Sequence, residues 1–216
     1  GSPLTVSNYQ LVTDQINLHR RDYNLLPHIY PDSSFGYLIS SGVFQLNADL
    51  PFLYPVEIHP TSHVAVNGFS QYLSNYHSAK FSAYDASTSS MHHIFLGGIS
   101  QYYYQNGTLI NDPNVPFVKT ISRLSQAPDG SFHEYVLNQE MPALLGASAE
   151  FIPKEDLPFY NHEIIDLNAL APDSVLIGYL VGGIKSTALN PFTQNNTAQT
   201  TANAIFYQVW LKQSAA

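Results

Sequence analysis

The chain has 216 residues, of which 44% are hydrophobic and only 11% are charged, and it carries 15 tyrosines and 12 phenylalanines. Its formal net charge of −8 argues against binding to nucleic acid, because a phosphate backbone needs clustered lysine and arginine. The lack of cysteine excludes disulfides, thiol catalysis and cysteine-ligated metal sites. No apolar run approaches the ~20 residues of a membrane helix, so we expect no membrane span.

The first two residues, Gly1 and Ser2, look like the remnant of a cloning or protease site. We therefore expect residues 3–216 to form a single domain of repeated β-strands, the C-terminal part of a longer chain. The low charge, the missing cysteines and a signal segment inferred to have been removed favour a secreted, periplasmic or cell-surface bacterial protein.

Strands dominate the predicted secondary structure, because β-branched and aromatic residues alternate with turn clusters while proline and glycine interrupt the helical windows. Only residues 11–26 carry a weak helical periodicity. Polar residues on both faces of 117–126 indicate an exposed outer strand, and PDGS at 128–131 predicts a hairpin. Strands are predicted at 35–46, 93–104, 117–126, 132–138, 174–184 and 204–213.

An apolar strand that ends in small residues occurs three times, as FGYLISSGVFQ, HIFLGGISQYY and IGYLVGGIKST. Each copy contains a glycine followed by a β-branched residue, namely Gly42, Gly98 and Gly183, and each is followed by a Pro-Phe pair. Repeats of a few antiparallel strands are typical of propeller blades, in which glycine lets neighbouring backbones approach closely. We therefore predict that the three glycines occupy matching positions on successive sheets.

Through FLGGIS and YLVGGIKS the chain resembles the Kelch family of β-propellers, whose hallmark is a Gly-Gly pair that closes an apolar strand. The resemblance implies an all-β fold of about three to four antiparallel blades, with a β-sandwich as the alternative. The stretches LHRRDYNLLP, SGVFQ and IFLGGIS are also loosely similar to exported proteins of the Bacteroidetes type, which carry no known activity. Kelch-fold copper oxidases need a Tyr-Cys cofactor that this chain cannot form, and we expect no cofactor.

Tyrosines supply the clearest functional hint. Strand alternation puts Tyr102 and Tyr104 on one face, and Gln101 and Tyr72 extend the same polar aromatic set. Exposed tyrosine rings stack on sugars and are frequent in protein interfaces, whereas packing between blades is the alternative. We predict a non-enzymatic binding or scaffold module that recognises a glycan or protein through a loop face rich in Tyr, Asn and Gln. Self-association through blade edges is a further expectation.

A hydrolase or lyase that acts on polysaccharides is the alternative function, using carboxylates and histidine on the same face. Its candidate carboxylates are Glu155, Asp156, Glu163 and Asp166, for which a solvated acidic edge is the simpler explanation. The sequence contains no GxSxG motif, P-loop or dinucleotide fingerprint, so it leans away from an enzyme.

Nine histidines raise the question of a metal site. His59 and His63 flank a turn that would bring them together, and His77 lies nearby in sequence, so these three form a weak candidate. Hydrogen-bonded histidines without a metal are the favoured interpretation. The adjacent His92 and His93 point to opposite faces of a strand and cannot ligate one metal together.

Overall fold

The computed structural model describes residues 4–213, which form sixteen β-strands and three single-turn 3-10 helices. No α-helix occurs in this range, which confirms the all-β prediction. Within the same range no helix is long and apolar enough to cross a membrane. The expected cloning remnant, Gly1 and Ser2, lies outside the described residues.

The strands form three larger sheets and one separate hairpin. The first sheet is antiparallel and has four strands in chain order: β1 Asn24–Ile29, β2 Phe35–Ser40, β3 Val56–Ile58 and β4 His63–Ala65. The second has the order β10-β9-β6-β5-β13-β12, and only its β13–β5 pair is parallel: β5 Ala79–Asp85, β6 Ser90–Leu96, β9 Thr120–Gln126, β10 Phe132–Glu140, β12 Phe159–Tyr160 and β13 Ile164–Asp166.

The third sheet is built around the long strand β14, which pairs antiparallel with its neighbours. Its members are β11 Leu144–Pro153, β14 Val175–Ser186, β15 Thr200–Ala202 and β16 Tyr207–Leu211. The separate hairpin consists of β7 Tyr102–Gln105 and β8 Thr108–Asn111. The 3-10 turns lie at Asn161–Glu163, Leu167–Ala169 and Thr197–Gln199.

The second sheet lies between the other two. On one face Ile94 and Leu96 pack with Leu145 and Leu180 of the third sheet, and on the other Phe95 packs with the first sheet. Successive residues of β6 are therefore buried on opposite faces, which explains why the end of the strand, Ile94, Phe95 and Leu96, is continuously apolar. Packing of successive sheets is compatible with neighbouring blades, but no closed ring or barrel is found among the described strands, so the propeller remains a prediction.

The layers explain why one local prediction was wrong and why the weak helical periodicity of residues 11–26 did not produce a helix. Residues 11–26, the best helical window, form turns and then enter β1, because Leu26 is drawn into the core between the sheets. The predicted outer strand at 117–126 is β9, an interior strand between β6 and β10. Its polar side chains Ser122 and Ser125 are buried, and they form hydrogen bonds with the Leu73 carbonyl and the His92 ring, respectively. A polar side chain in this strand is therefore not an exposed one.

The PDGS hairpin between β9 and β10 is confirmed.

The three repeat glycines occupy equivalent positions. Gly42, Gly98 and Gly183 have φ angles of 95°, 98° and 80°, and in each case the preceding residue is also left-handed. The carbonyl of each glycine accepts a hydrogen bond from an amide further along the chain, and these amides belong to Phe52, Val118 and Asn203. We call each pair, residues 41–42, 97–98 and 182–183, a glycine corner. The repeat predicted from the sequence is therefore present in the backbone.

Each glycine corner faces a second left-handed residue on the neighbouring strand. The residue after each corner glycine pairs with a residue of the neighbouring antiparallel segment, as Val43 with Arg21, Ile99 with Tyr76 and Ile184 with Ala147. The residue that follows each of these partners then faces the glycine. These residues, which we call opposing corners, are Asp22, His77 and Ser148, with φ angles of 58°, 54° and 56°.

Candidate functional site

A groove of about 360 Å³ runs between the β7–β8 hairpin, strand β10 and the segment before β5. Most of its lining is aromatic or aliphatic and partly exposed, and we call it the tyrosine groove: Tyr72, Leu73, Tyr104, Leu109, Glu134, Tyr135 and Val136. The exposed fractions of Tyr72, Tyr104 and Tyr135 are 39%, 41% and 42%, so three rings remain available to a ligand.

The β7–β8 hairpin brings two of the predicted tyrosines to this groove. Its turn residues Asn106 and Gly107 have φ angles of 50° and 77°, as a tight two-residue hairpin turn requires. Tyr104 lines the groove, and the half-buried Tyr102 ring packs 4.8 Å from the Tyr72 ring at an interplanar angle of 60°. Tyr72, Tyr102 and Tyr104 are therefore brought together, with Tyr102 as the inner support of Tyr72.

The fourth residue predicted with the tyrosines lies elsewhere. Gln101 is buried, and its side-chain amide donates to Asn111 Oδ1 across 3.1 Å. This bond links the start of the hairpin to the end of β8, so Gln101 holds the hairpin and does not line the groove.

Glu134 is the acidic residue that lines the groove. Its two carboxylate oxygens accept hydrogen bonds from the backbone amides of Tyr72 and Leu73, at 3.1 and 2.6 Å. Burial raises the pKa of Glu134 to about 7, against the opposing effect of these two bonds. The carboxyl group thus fixes the segment that carries Tyr72 and changes its charge near neutral pH.

The Tyr135 ring packs against the guanidinium group of Arg123. The guanidinium carbon of Arg123 lies 4.3 Å from the centre of the Tyr135 ring, and the two residues are direct partners across β9 and β10. Such a contact orients the ring and leaves its other face exposed. Sequence reasoning missed Glu134 and Tyr135, because only strand pairing places FHEYVLN beside the hairpin.

The three histidines of the weak metal candidate are not brought together. His63 Nε2 lies 2.8 Å from Asp14 Oδ2, and the His59 ring stacks on Tyr30 at 4.2 Å. His77 lies beside Asp22 and Ser148. Among residues 4–213 no group of three or more His, Asp or Glu side chains is arranged to hold a metal ion.

The carboxylates considered for polysaccharide cleavage have local partners. Asp156 pairs with Lys154 at 2.7 Å, and Asp166 caps the turn at Leu167–Ala169 by accepting from two backbone amides. Glu155 and Glu163 are exposed. None of the four lines the tyrosine groove.

The protein is therefore an all-β molecule that carries an aromatic groove on its surface. The chain matches no protein-family model, no curated protein and no solved structure. Its function is therefore inferred from its own residues.

Proposed function

We propose that the tyrosine groove binds a carbohydrate and that the protein is a recognition module. The single observation that carries this proposal is the grouping of three partly exposed tyrosine rings around one carboxyl group. Aromatic rings pack against the apolar faces of sugar rings, while a carboxylate accepts hydrogen bonds from sugar hydroxyls.

The size of the groove supports a small ligand. A volume of about 360 Å³ lies at the lower end of the roughly 300–1,000 Å³ found for small-molecule sites. The groove is lined by seven residues, whereas a stable protein interface generally involves about 20–30 residues on each partner. A short stretch of glycan therefore fits the groove better than a folded protein.

The carboxyl content of the groove supports binding rather than cleavage. Glycoside hydrolysis generally uses two carboxyl groups about 5–10 Å apart. Glu134 is the one acidic residue among the described residues that line the groove. A single carboxyl group is suited to recognition, because it can fix the orientation of a hydroxyl without supplying both an acid and a nucleophile.

The proposal is tested by a glycan-array screen followed by calorimetric titration of the best ligand. Replacement of Tyr104 by Ala removes one wall of the groove, and we expect the dissociation constant to rise about tenfold. Tyr9→Ala is the matched control, because Tyr9 is 81% exposed and lies outside the groove. The proposal fails if no glycan binds, or if Tyr104→Ala binds as tightly as the unchanged protein.

A further inference from the structure

The side chains of the three opposing corners, Asp22, His77 and Ser148, lie next to one another near the surface, and they are of the types found in nucleophilic catalytic sites. Ser148 Oγ lies 3.3 Å from His77 Nε2, and the other nitrogen of the same ring, Nδ1, lies 4.0 Å from Asp22 Oδ1. With the ring proton on Nδ1, facing the carboxylate, Nε2 is free to accept the serine proton. Ser148 and His77 are thus within hydrogen-bond distance, and Asp22, whose Oδ2 accepts from Arg21 Nε across 3.3 Å, lies at ion-pair distance from the ring nitrogen that a triad carboxylate faces.

Backbone contacts between the repeats hold this arrangement. The Ser148 amide donates to the His77 carbonyl across 2.8 Å, and Ser78 and Ala147 form a β-bridge beside it. The first repeat is attached through Asn24, whose side chain donates to the Asn75 carbonyl and accepts from the Ser78 amide. The relative positions of the corners therefore depend on paired backbone and not on flexible side chains alone.

The backbone at the three residues is strained in the same way. Their φ angles of 54° to 58° lie in the left-handed region, which costs an L-residue roughly 1–2 kcal/mol. Non-glycine residues in this region cluster at functional sites. The equivalent positions of the three repeats hold three different residue types, Asp, His and Ser, so the repeated backbone alone does not account for the set.

We propose that Ser148, His77 and Asp22 form a second site that reacts as a serine nucleophile towards carboxylic esters with small acyl groups. Ser148 Oγ attacks the carbonyl carbon while its proton passes to His77 Nε2. The alcohol leaves with that proton, and water then hydrolyses the acyl-serine by the same route in reverse. Asp22 is a positioning residue that orients the ring through Nδ1.

The surface position of the site determines the substrate class. Ser148 and His77 are exposed, and the His77 side chain retains 46% of its accessible area. Because both side chains are open to solvent, an acetyl or similar small acyl group on a larger molecule can reach Ser148. The proposal uses none of the residues of the tyrosine groove and stands independently of carbohydrate binding.

The test uses a fluorophosphonate probe and mass spectrometry of the full chain. Ser148 Oγ displaces fluoride from phosphorus, and the serine proton is transferred to His77. We expect one adduct on Ser148. The variant Ser148→Gly should lose it, and glycine suits a φ angle of 56°. General-base catalysis contributes about 10²–10⁴-fold, so His77→Ala should slow labelling at least ~100-fold, with recovery on adding imidazole.

Ser131 provides a matched control. Its Oγ lies 3.1 Å from His133 Nε2, a distance similar to that at Ser148, but its proton is donated to Asp129 Oδ1 at 2.6 Å. Ser131→Ala should leave the adduct unchanged. For Asp22, we expect Asp22→Asn to slow labelling and Asp22→Glu to retain most of the rate. Absence of a Ser148 adduct, or equal labelling of His77→Ala, would overturn the proposal.

Discussion

His93 Nε2 lies 2.8 Å from His28 Nδ1, and neither residue has any accessible surface. The bond belongs to a longer chain across the first two sheets. His28 Nε2 lies 2.7 Å from Gln126 Oε1, and Gln126 Nε2 donates to Glu57 across 2.8 Å. At the other end, the Ser82 hydroxyl lies 3.0 Å from His93 Nδ1.

The proton positions along this chain follow from its two ends. Because Gln126 uses its amide to donate to Glu57, its oxygen must accept from His28 Nε2. His28 Nδ1 is then an acceptor for His93 Nε2, and His93 Nδ1 accepts from the Ser82 hydroxyl. Both rings are therefore neutral, and a proton added to His28 Nδ1 would face the N–H of His93 Nε2, so that two donors would lie face to face.

The first prediction concerns acid stability. Burial lowers the pKa of His28 to about 4, whereas the ring has a pKa near 6.5 when unfolded. The unfolded chain binds the proton first, so the stability from neutral His28 is present above about pH 6.5 and lost as the pH falls towards 4. At pH 5 we expect a loss of about 2 kcal/mol from this residue, measured by urea unfolding.

The comparison must be made between variants, because Glu134 acts in the opposite direction. Between pH 4.5 and 7 the folded protein keeps a proton on Glu134 that the unfolded chain has already released. The contribution of Glu134 to the free energy of unfolding therefore decreases as the pH rises over that window. We expect His28→Gln to flatten the pH dependence relative to His133→Gln, whose ring is exposed. Equal slopes in the two variants would contradict the assignment.

The second prediction concerns Glu134 and the ligand. Glu134→Gln leaves an amide NH₂ facing one of two backbone donors, so we expect several-fold weaker glycan binding in calorimetry. Binding by the unchanged protein should strengthen from pH 6 to 8 as the carboxyl group ionises, because the carboxylate makes charge-assisted bonds. Glu140→Gln, exposed on the same strand, should behave as the unchanged protein. A Glu134→Gln affinity equal to that of the unchanged protein counts against this role.

The third prediction concerns close backbone approach at Gly146. A Cβ there would lie 2.1 Å from the Leu96 carbonyl oxygen, in addition to the strain of a φ angle of 107°. Gly107→Ala isolates the strain, because Gly107 also has a positive φ, 77°, but faces open space. We expect Gly107→Ala to cost about 1–2 kcal/mol of unfolding free energy and Gly146→Ala clearly more. Similar losses would mean that the contact relaxes freely.

The fourth prediction concerns the glycine corner that lacks its first glycine. Ser41 has a φ angle of 56°, and its buried hydroxyl has no hydrogen-bond partner among the described residues. Ser41→Gly relieves the strain of roughly 1–2 kcal/mol and loses no bond, against a backbone entropy cost of about 0.5–1 kcal/mol. We expect a small gain in melting temperature. Ser40→Gly, which removes a hydroxyl bonded to Gln71, should lower it. A lower melting temperature for Ser41→Gly would contradict the assignment.

The sequence predicted the features that depend on local chemistry. Glycine corners, the PDGS hairpin and strands β10 and β14 follow from residues within a few positions of one another. The strand predicted at 93–104 is instead divided between β6, which ends at Leu96, and β7, which begins at Tyr102. It failed where distant partners decide the outcome. Ser122 and Ser125 look like surface residues until Leu73 and His92 supply their hydrogen bonds.

The candidate sites show the same division. Alternation in Tyr-Tyr-Tyr indicated that Tyr102 and Tyr104 share a face, but Glu134 joins them only through strand pairing. Asp22, His77 and Ser148 share no local motif, since each comes from a different repeat. Each of the three residues faces a corner glycine across paired backbone, and this shared pairing, which only the structure shows, is what identifies them as a set.

The distance along the chain between each corner glycine and the amide that bonds its carbonyl differs among the repeats. It is ten residues in the first repeat and twenty in the other two. The segment between the corner glycine and this amide can therefore differ in length while the corner keeps its geometry. In the second repeat this segment carries the β7–β8 hairpin, so under the glycan binding that we propose, exchange of this one insert would change ligand preference while the supporting layers keep their packing.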